Sequence, residues 1–417
     1  MSGQEEDGGE HRRKVAMIAI TTFGLISLFG DIIYEGARSA IPTYLELLLA
    51  PAFIVGLAVG LGEFLGYGLR FFTGYVADTT RSYWGLTITG YVLLISIPLL
   101  TFFVDWKIAI ILVVLERVAK AIRTPARDTL ISVTTKAIGR GKAFGLHELM
   151  DQIGATVGPL IVTAAIWYKL QQGATRIAQL RFAFMVLFIP YVILLIVLFG
   201  GYLRLKAPTQ RALVGAKASM RPEPLSGKFY LYSLAVMINT AGLFQVALIL
   251  YRATEIFMEI LWIVPLVYLL IQGVDAIIAP IAGAAYDKKG RSILIIPFIL
   301  SVFPTIFIAL PYLSITGISV SPVASIVLAA LFYGMVLGMQ ESIYRAAVAD
   351  LTGIAKRGLG YGVFSTLYGL GFLISGAVLG YLLDLSKLNP VYMAYAVIYT
   401  VILQIIAIIL LSTSTRK

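Results

Sequence analysis

Between residues 15 and 412 the chain is a succession of apolar runs broken by short charged turns. A run of about 20 residues crosses the bilayer core as an α-helix. No water is available there to the backbone, so only helices or a closed barrel satisfy every N–H and C=O. Barrel strands are short segments that alternate apolar and polar residues, and these runs do not alternate. Only 13% of the residues are charged and mean hydropathy is +0.90, against about 25% charged in soluble domains. The expectation is an all-α integral membrane protein with twelve transmembrane helices. They fall near 15–47, 52–77, 84–104, 107–134, 140–168 and 180–204, then 229–256, 260–286, 291–312, 321–350, 358–383 and 389–412.

The net charge of +11 reads as membrane topology rather than nucleic-acid affinity. Twenty of the 33 Lys and Arg fall at the ends and loops of one side, including Arg12, Arg13, Lys14, Lys136, Arg140, Lys142, Lys288, Lys289, Lys356, Arg357, Arg416 and Lys417. Five, Lys107, Lys169, Arg176, Arg181 and Lys387, fall on the other. Cytoplasmic loops carry such an excess. The chain is therefore expected in the cytoplasmic membrane, multi-pass, with both termini cytoplasmic. Residues 1–14 are expected as a disordered cytoplasmic N-terminus. Residues 205–228, basic and holding Pro208, Pro222 and Pro224, are expected as a cytoplasmic linker at the anionic inner leaflet between bundles at 15–204 and 229–413. With no cysteine, disulfides and thiolate metal or redox chemistry are excluded.

One short pattern occurs twice. Gly74, Asp78 and Arg81, after the second run, recur as Gly283, Asp287 and Arg291 after the eighth, the glycines 209 residues apart in a chain of 417. Glu116 and Asp128 of the fourth run correspond to Glu341 and Asp350 of the tenth; Phe144 and Gly154 of the fifth correspond to Tyr361 and Gly371 of the eleventh. Two parallel halves related by an axis along the membrane normal would produce this. With its twelve runs, 6+6 repeat, basic linker and duplicated loop, the chain resembles the major facilitator superfamily over nearly its whole length. The family's loop motif runs Gly-x-Leu-Ala-Asp-Arg-x-Gly-Arg-Arg. The second copy keeps Gly283, Asp287, Gly290 and Arg291; the first keeps Gly74 and Asp78 but has Thr79 at a usually basic position and Arg81 at the glycine position. The resemblance implies two pseudo-symmetric six-helix bundles, alternating access, and a monomer. The fifth run, with Gly145, Gly154, Gly158 and Pro159, resembles the family's antiporter motif without its closing glycines, Val162 and Thr163 standing there. Gly154 and Gly158 lie one turn apart and admit a close neighbour helix, and Pro159 removes a backbone donor. Tight packing with no bearing on direction is the plainer alternative.

An ionisable group at bilayer depth is costly unless paired or wetted, which makes each one a functional candidate. Asp31, Glu35 and Arg38 share one face of the first span, as a site for proton exchange or as a Glu35–Arg38 salt bridge. Glu116, Lys120, Arg123 and Arg127 form a stripe on the fourth, where Glu116 lines the path or pairs with Lys120. Arg127 and Asp128 are expected to pair with the loop around Asp78 and latch one conformation. The fifth span carries His147, Glu148 and Asp151. Histidine exchanges protons near neutral pH, so a His147–Asp151 pair is either a relay or a neutral histidine donating one bond. Glu341 and Arg345, four residues apart, either serve a site or pair with each other. Tyr67, Tyr268 and Tyr368 either line a cavity or pack.

These residues sort into three expected roles. Proton coupling falls to Asp31, Glu35, His147, Glu148 and Asp151. Substrate binding falls to Arg38, Glu63, Arg70, Glu116, Gln245, Tyr251, Gln272, Asp275, Glu341 and Arg345. The conformational gate comprises Gly74, Asp78, Arg81, Arg123, Arg127, Asp128, Gly154, Gly158, Pro159, Gly283, Asp287 and Arg291. The expected function is a secondary active transporter, a proton-coupled exporter of a small molecule. Its partners are substrate, protons and membrane lipid, without nucleic acid. Three alternatives stand beside it: a facilitator or symporter for an anionic metabolite, clamped by Arg38, Arg70, Arg123 and Arg345; a divalent metal exporter using Asp31, Glu35, Glu63 and His147; and a transport-dead receptor. No phosphate loop, metal-spaced histidine pair or nucleophile with partners is present, so neither enzymatic activity nor a cofactor or resident metal is expected.

Overall fold

The computed structural model describes residues 2–135, 138–214, 225–312, 320–352 and 357–415. Among these there is no β-strand. The first part holds α1 (Ser2–Arg38), α2 (Ile41–Leu47), α3 (Ala52–Thr80), α4 (Tyr83–Val92), α5 (Trp106–Thr134), α6 (Arg140–Gln171), α7 (Arg176–Val186) and α8 (Phe188–Val214). The second holds α9 (Gly227–Ala241), α10 (Val246–Ile256), α11 (Val264–Lys289), α12 (Ile295–Leu300), α13 (Phe303–Ala309), α14 (Pro322–Met339), α15 (Arg345–Leu351), α16 (Arg357–Ser386) and α17 (Val391–Thr415). Ten stretches of the described residues are long and apolar enough to cross a membrane. The 29-residue α5 is not among them, because its inward face carries Glu116, Arg117, Lys120, Arg123, Arg127 and Asp128.

Two expected boundaries move. The stretch expected as a disordered N-terminus is helical from Ser2, continuous with α1. The expected linker begins inside a helix, since α8 runs to Val214 with Pro208 within it. A helix nucleated by an apolar run extends into polar flanks at little cost. Residues 215–224 of that linker, with Pro222 and Pro224, lie outside the described residues, as do Lys136, Lys356, Arg416 and Lys417.

The internal repeat is visible in packing. Where Gly154 of α6 meets α1, a Cβ on it would lie 2.5 Å from the Leu28 carbonyl oxygen and 2.8 Å from Asp31 Cβ, with Ile32 N next. Where Gly371 of α16 meets α9, the corresponding neighbours are the Met237 oxygen at 2.5 Å and Thr240 Cβ at 2.8 Å, with Ala241 N next. Leu28 and Met237, Asp31 and Thr240, and Ile32 and Ala241 are each 209 positions apart, the spacing of the duplicated loops. Glycine is required at both crossings, since the atoms a side chain would strike are mostly backbone. The first helix of each part also breaks near its end, α1 from α2 at Ser39–Ala40 and α9 from α10 at Gly242–Gln245. Between the parts, α3 runs against α16, with Gly56 and Gly376 backbone to backbone.

Candidate functional site

A cavity of about 460 Å³ lies between the two parts. It is walled by α1, α3, α5 and α6 from the first and by α11, α14, α15 and α16 from the second, together with the break before α10 and the turn before α15. All five expected proton-coupling residues line it: Asp31, Glu35, His147, Glu148 and Asp151. Eight of the expected binding residues line it as well, namely Arg38, Glu63, Arg70, Gln245, Gln272, Asp275, Glu341 and Arg345, and so do Arg123, Arg127 and Asp128.

Two expected binding residues do not. Glu116 is 2% exposed and its carboxylate approaches the adjacent Arg117 at 3.4 Å. It is not paired with Lys120, whose ammonium sits over the Tyr34 ring at 4.0 Å. Tyr251 lies on α10, beyond the break at Gly242–Gln245, and is not among the residues that line the cavity. Its hydroxyl donates to the Ala50 carbonyl at 3.3 Å and accepts from Lys387 Nζ at 3.2 Å.

Ion pairs divide the cavity charges into satisfied and unsatisfied groups. Arg38 reaches both Glu35, at 3.1 Å, and Glu63. Arg117 approaches Glu63 at 3.4 Å. Glu35 also accepts from the Tyr268 hydroxyl, a bond from one part of the chain to the other. The Glu35–Arg38 salt bridge read from spacing therefore belongs to a larger network. His147 Nδ1 lies 3.3 Å from Asp151 Oδ2, as the spacing of four suggested, while its Nε2 is buried without a partner. Asp275 Oδ1 is likewise buried and unpartnered. Buried polar atoms left unpaired are costly, so in a cavity they mark where another molecule or water is accommodated. Tyr34 and Tyr333 line the cavity too; single tyrosines in apolar runs carry no periodic signal that distinguishes lining from packing.

The expected latch differs from its sequence reading. Arg127 does not pair with the loop around Asp78. Its guanidinium binds Asp128 at 2.9 Å, donates to Ser27 at 2.9 Å and lies 3.3 Å from the Tyr91 hydroxyl. Asp78 accepts instead from the Tyr83 hydroxyl at 2.9 Å. In the second copy Asp287 is exposed; Asp350 accepts from Tyr286 at 2.8 Å, and Arg291 donates to its backbone oxygen at 3.3 Å. Gly74 rests against Pro125 and Gly283 against Ser342. Arg81 is left-handed at φ 54°, and Gly290 also takes a positive φ, 63°, with ψ −150°; positive φ at this position explains the motif's usual glycine. Pro159 lies inside an α6 that runs unbroken to Gln171.

The loop bonds of Asp78 and Asp350 each stay within one part of the chain. At the opposite face several bonds join the two parts. Thr43 meets Thr254 at 2.7 Å, Arg176 meets Glu259 at 2.6 Å, and Asp384 accepts from the backbone N–H of Ala52 and of Phe53, both at 2.8 Å. We call this the capped face. Among the described residues no three His, Asp or Glu gather where one metal ion could hold them; Asp31, Glu35, Glu63 and His147 are no exception.

A sequence profile of the Major Facilitator Superfamily matches residues 16–343. An uncharacterised protein of Mycobacterium tuberculosis is 33% identical over 372 residues, covering 88% of this chain and 87% of its own. An uncharacterised MFS-type transporter of Methanocaldococcus jannaschii is 27% identical over 372 residues, covering 87% and 88%. A multidrug resistance protein, MdtH, of Photorhabdus laumondii is 28% identical over 159 residues, 33% of this chain and 39% of its own. Among solved structures, the nucleoside transporter NupG has a TM-score of 0.72 at 13% identity, covering 96% of this chain and all of that one. A D-xylose–proton symporter has a TM-score of 0.66 at 14% identity, covering 95% and 96%. Those likenesses give the fold, and the profile gives the family. This chain belongs to the Major Facilitator Superfamily, as a multi-pass membrane transporter of a small substrate.

Proposed function

We propose that the chain is a proton-coupled exporter that moves its substrate by alternating access of two six-helix bundles, 15–204 and 229–413. Twelve crossings are reached when α5 and a second crossing within the 49-residue stretch Leu261–Ala309 are added to the ten apolar stretches. The residues packed against Gly154 and against Gly371 correspond at a spacing of 209, which supports two equivalent halves. The basic-loop asymmetry supports cytoplasmic termini in the cell membrane. On that orientation the capped face is external. The observation that carries the reading is the polar cavity between the halves, capped at one face and holding carboxylates beside a His147–Asp151 pair.

Proton coupling is assigned to Asp31 and Asp151, on facing sides of the α1–α6 crossing, with His147 as relay and Glu35 and Glu148 beside them. Antiport is supported by the glycine crossing that the fifth-span motif encodes, and export by partial likeness to a multidrug resistance protein. The D-xylose–proton symporter shares the fold but would run cargo and proton in one direction. In inverted vesicles energised to an acidic lumen, a transported compound should release the proton gradient, read as dequenching of a pH-sensitive dye. Asp31→Asn and Asp151→Asn should abolish the release while the protein still inserts. Substrate flux that ignores the gradient in the parent and is unchanged in Asp31→Asn would remove proton coupling.

A further inference from the structure

We propose that the cargo carries an anionic group that seats between Arg70 of α3 and Arg345 of α15, one guanidinium from each half. The inference deepens the transporter reading above, on which it rests only in calling the ligand cargo.

The cations of the cavity are not equivalent. Arg38, Arg117 and Arg127 have carboxylate partners. Arg123, only 3% exposed, is sandwiched by the Tyr91 ring at 4.8 Å and the Tyr34 ring at 5.8 Å. Lys120 is held over Tyr34. Arg70 and Arg345 have no carboxylate partner among the described residues; Arg123 also lacks one, but both faces of its guanidinium are covered by rings, whereas Arg70 meets only Tyr67. Both line the main cavity, and both line a second cavity of about 370 Å³ that shares Tyr67, Asp128, Glu341 and Tyr368 with it. They lie within electrostatic reach of each other. Neither is in an ion pair among the described residues, and Arg70 Nε is buried with no hydrogen-bond partner. Of the acids that might answer them, two are committed elsewhere, and Glu341 lies within electrostatic reach of Arg345 but outside ion-pair distance. Glu63 is held by Arg38 and Arg117, Asp128 by Arg127, and Glu341 makes no ion pair with Arg345.

An unmatched carboxylate can take up a proton and become neutral. An arginine cannot lose one, so two guanidiniums lining the same cavities keep their charge until an anion arrives. Their planar donor forks match a carboxylate or a phosphate. The walls add a second preference. Arg70 stacks on Tyr67 at 4.9 Å, Tyr67 meets Tyr368 edge-on at 5.4 Å, and Tyr368 meets Phe372 at 5.0 Å. An organic anion with a flat apolar body fits both features.

The test is thermal melting of the purified full chain in neutral detergent with 1-naphthoate, 1-naphthyl phosphate and 1-naphthylmethylamine. Either anion should raise the melting midpoint and the amine should not; the better anion identifies carboxylate or phosphate. Arg70→Gln and Arg345→Gln should each weaken the apparent affinity for that anion by roughly tenfold, the equivalent of one charged hydrogen-bonding partner. Arg70→Lys, which keeps the charge, should retain part of it and serves if Arg70→Gln does not fold. Stabilisation by the amine equal to that by the anions, or anion stabilisation undiminished in both glutamine variants, would overturn the proposal. So would stabilisation by phosphatidylglycerol alone, since the pair would then hold a lipid headgroup. Anion-specific stabilisation without flux in vesicles would remove the transporter reading and leave the site. Flux without anion-specific stabilisation would do the reverse.

Discussion

The carboxylate of Asp384, at the end of α16, caps α3 by accepting hydrogen bonds from the backbone N–H of Ala52 and of Phe53, both at 2.8 Å. The first N–H groups of a helix have no partner of their own, and a carboxylate there also meets the positive end of the helix dipole. The cap comes from the other half of the chain, 332 residues away, so parting the capped face must break it.

Asp384→Asn should therefore favour opening at that face. Loss of the charge-assisted cap costs about 1.5 kcal/mol, roughly a tenfold shift in the equilibrium. The chain has no cysteine, so a single Thr43→Cys, buried beside Thr254, reports opening directly. Its labelling by a membrane-impermeant maleimide should rise about tenfold in the Asp384→Asn background; an unchanged rate would mean that the cap does not hold the face.

Gly154 and Gly371 should respond alike to substitution. Alanine at either would bring a Cβ to 2.5 Å from a backbone oxygen on the facing helix, and overpacking of this kind costs about 1–3 kcal/mol. The melting midpoints of Gly154→Ala and Gly371→Ala should fall together. A fall in one alone would break the equivalence of the two crossings.

Arg81 occupies a left-handed conformation at φ 54°, which costs a side-chain-bearing residue about 1 kcal/mol relative to glycine. Arg81→Gly should raise the melting midpoint, with Arg81→Asn between the two. If neither variant is more stable than the parent, the turn carries no strain.

Lys387 sits just beyond α16, 2.8 Å from Glu255 of α10 in the same part of the chain. Burial lowers its affinity for a proton, but the hydrogen bonds to Glu255 and the Tyr251 hydroxyl outweigh that, leaving it above the ordinary lysine value. A cation raised in this way contributes its full stabilisation below the unfolded value and loses it only as pH climbs through the folded one. The bridge should thus persist through mildly alkaline pH, and Lys387 should resist acylation there by an impermeant amine reagent. Glu255→Gln should speed that acylation; equal rates in the two proteins would show that the bridge does not form.

Helicity, membrane residence and the repeated 209-residue spacing were readable from residue order, because each depends on local spacing. Twenty apolar residues must span as a helix, and an offset of 209 recurs whether or not the halves touch. The same locality explains the miss at Glu116, where a spacing of four pointed to Lys120 and the folded chain put Lys120 over Tyr34 instead. Which charges in the cavity remain unmatched was decided only by tertiary structure. Glu63 meets Arg38 across 25 residues, and Glu35 meets Tyr268 across 233, distances over which no periodicity operates. Helix packing brings those partners together, and while it satisfies Arg38 it leaves Arg70 and Arg345, which line the same cavities, without a carboxylate partner among the described residues.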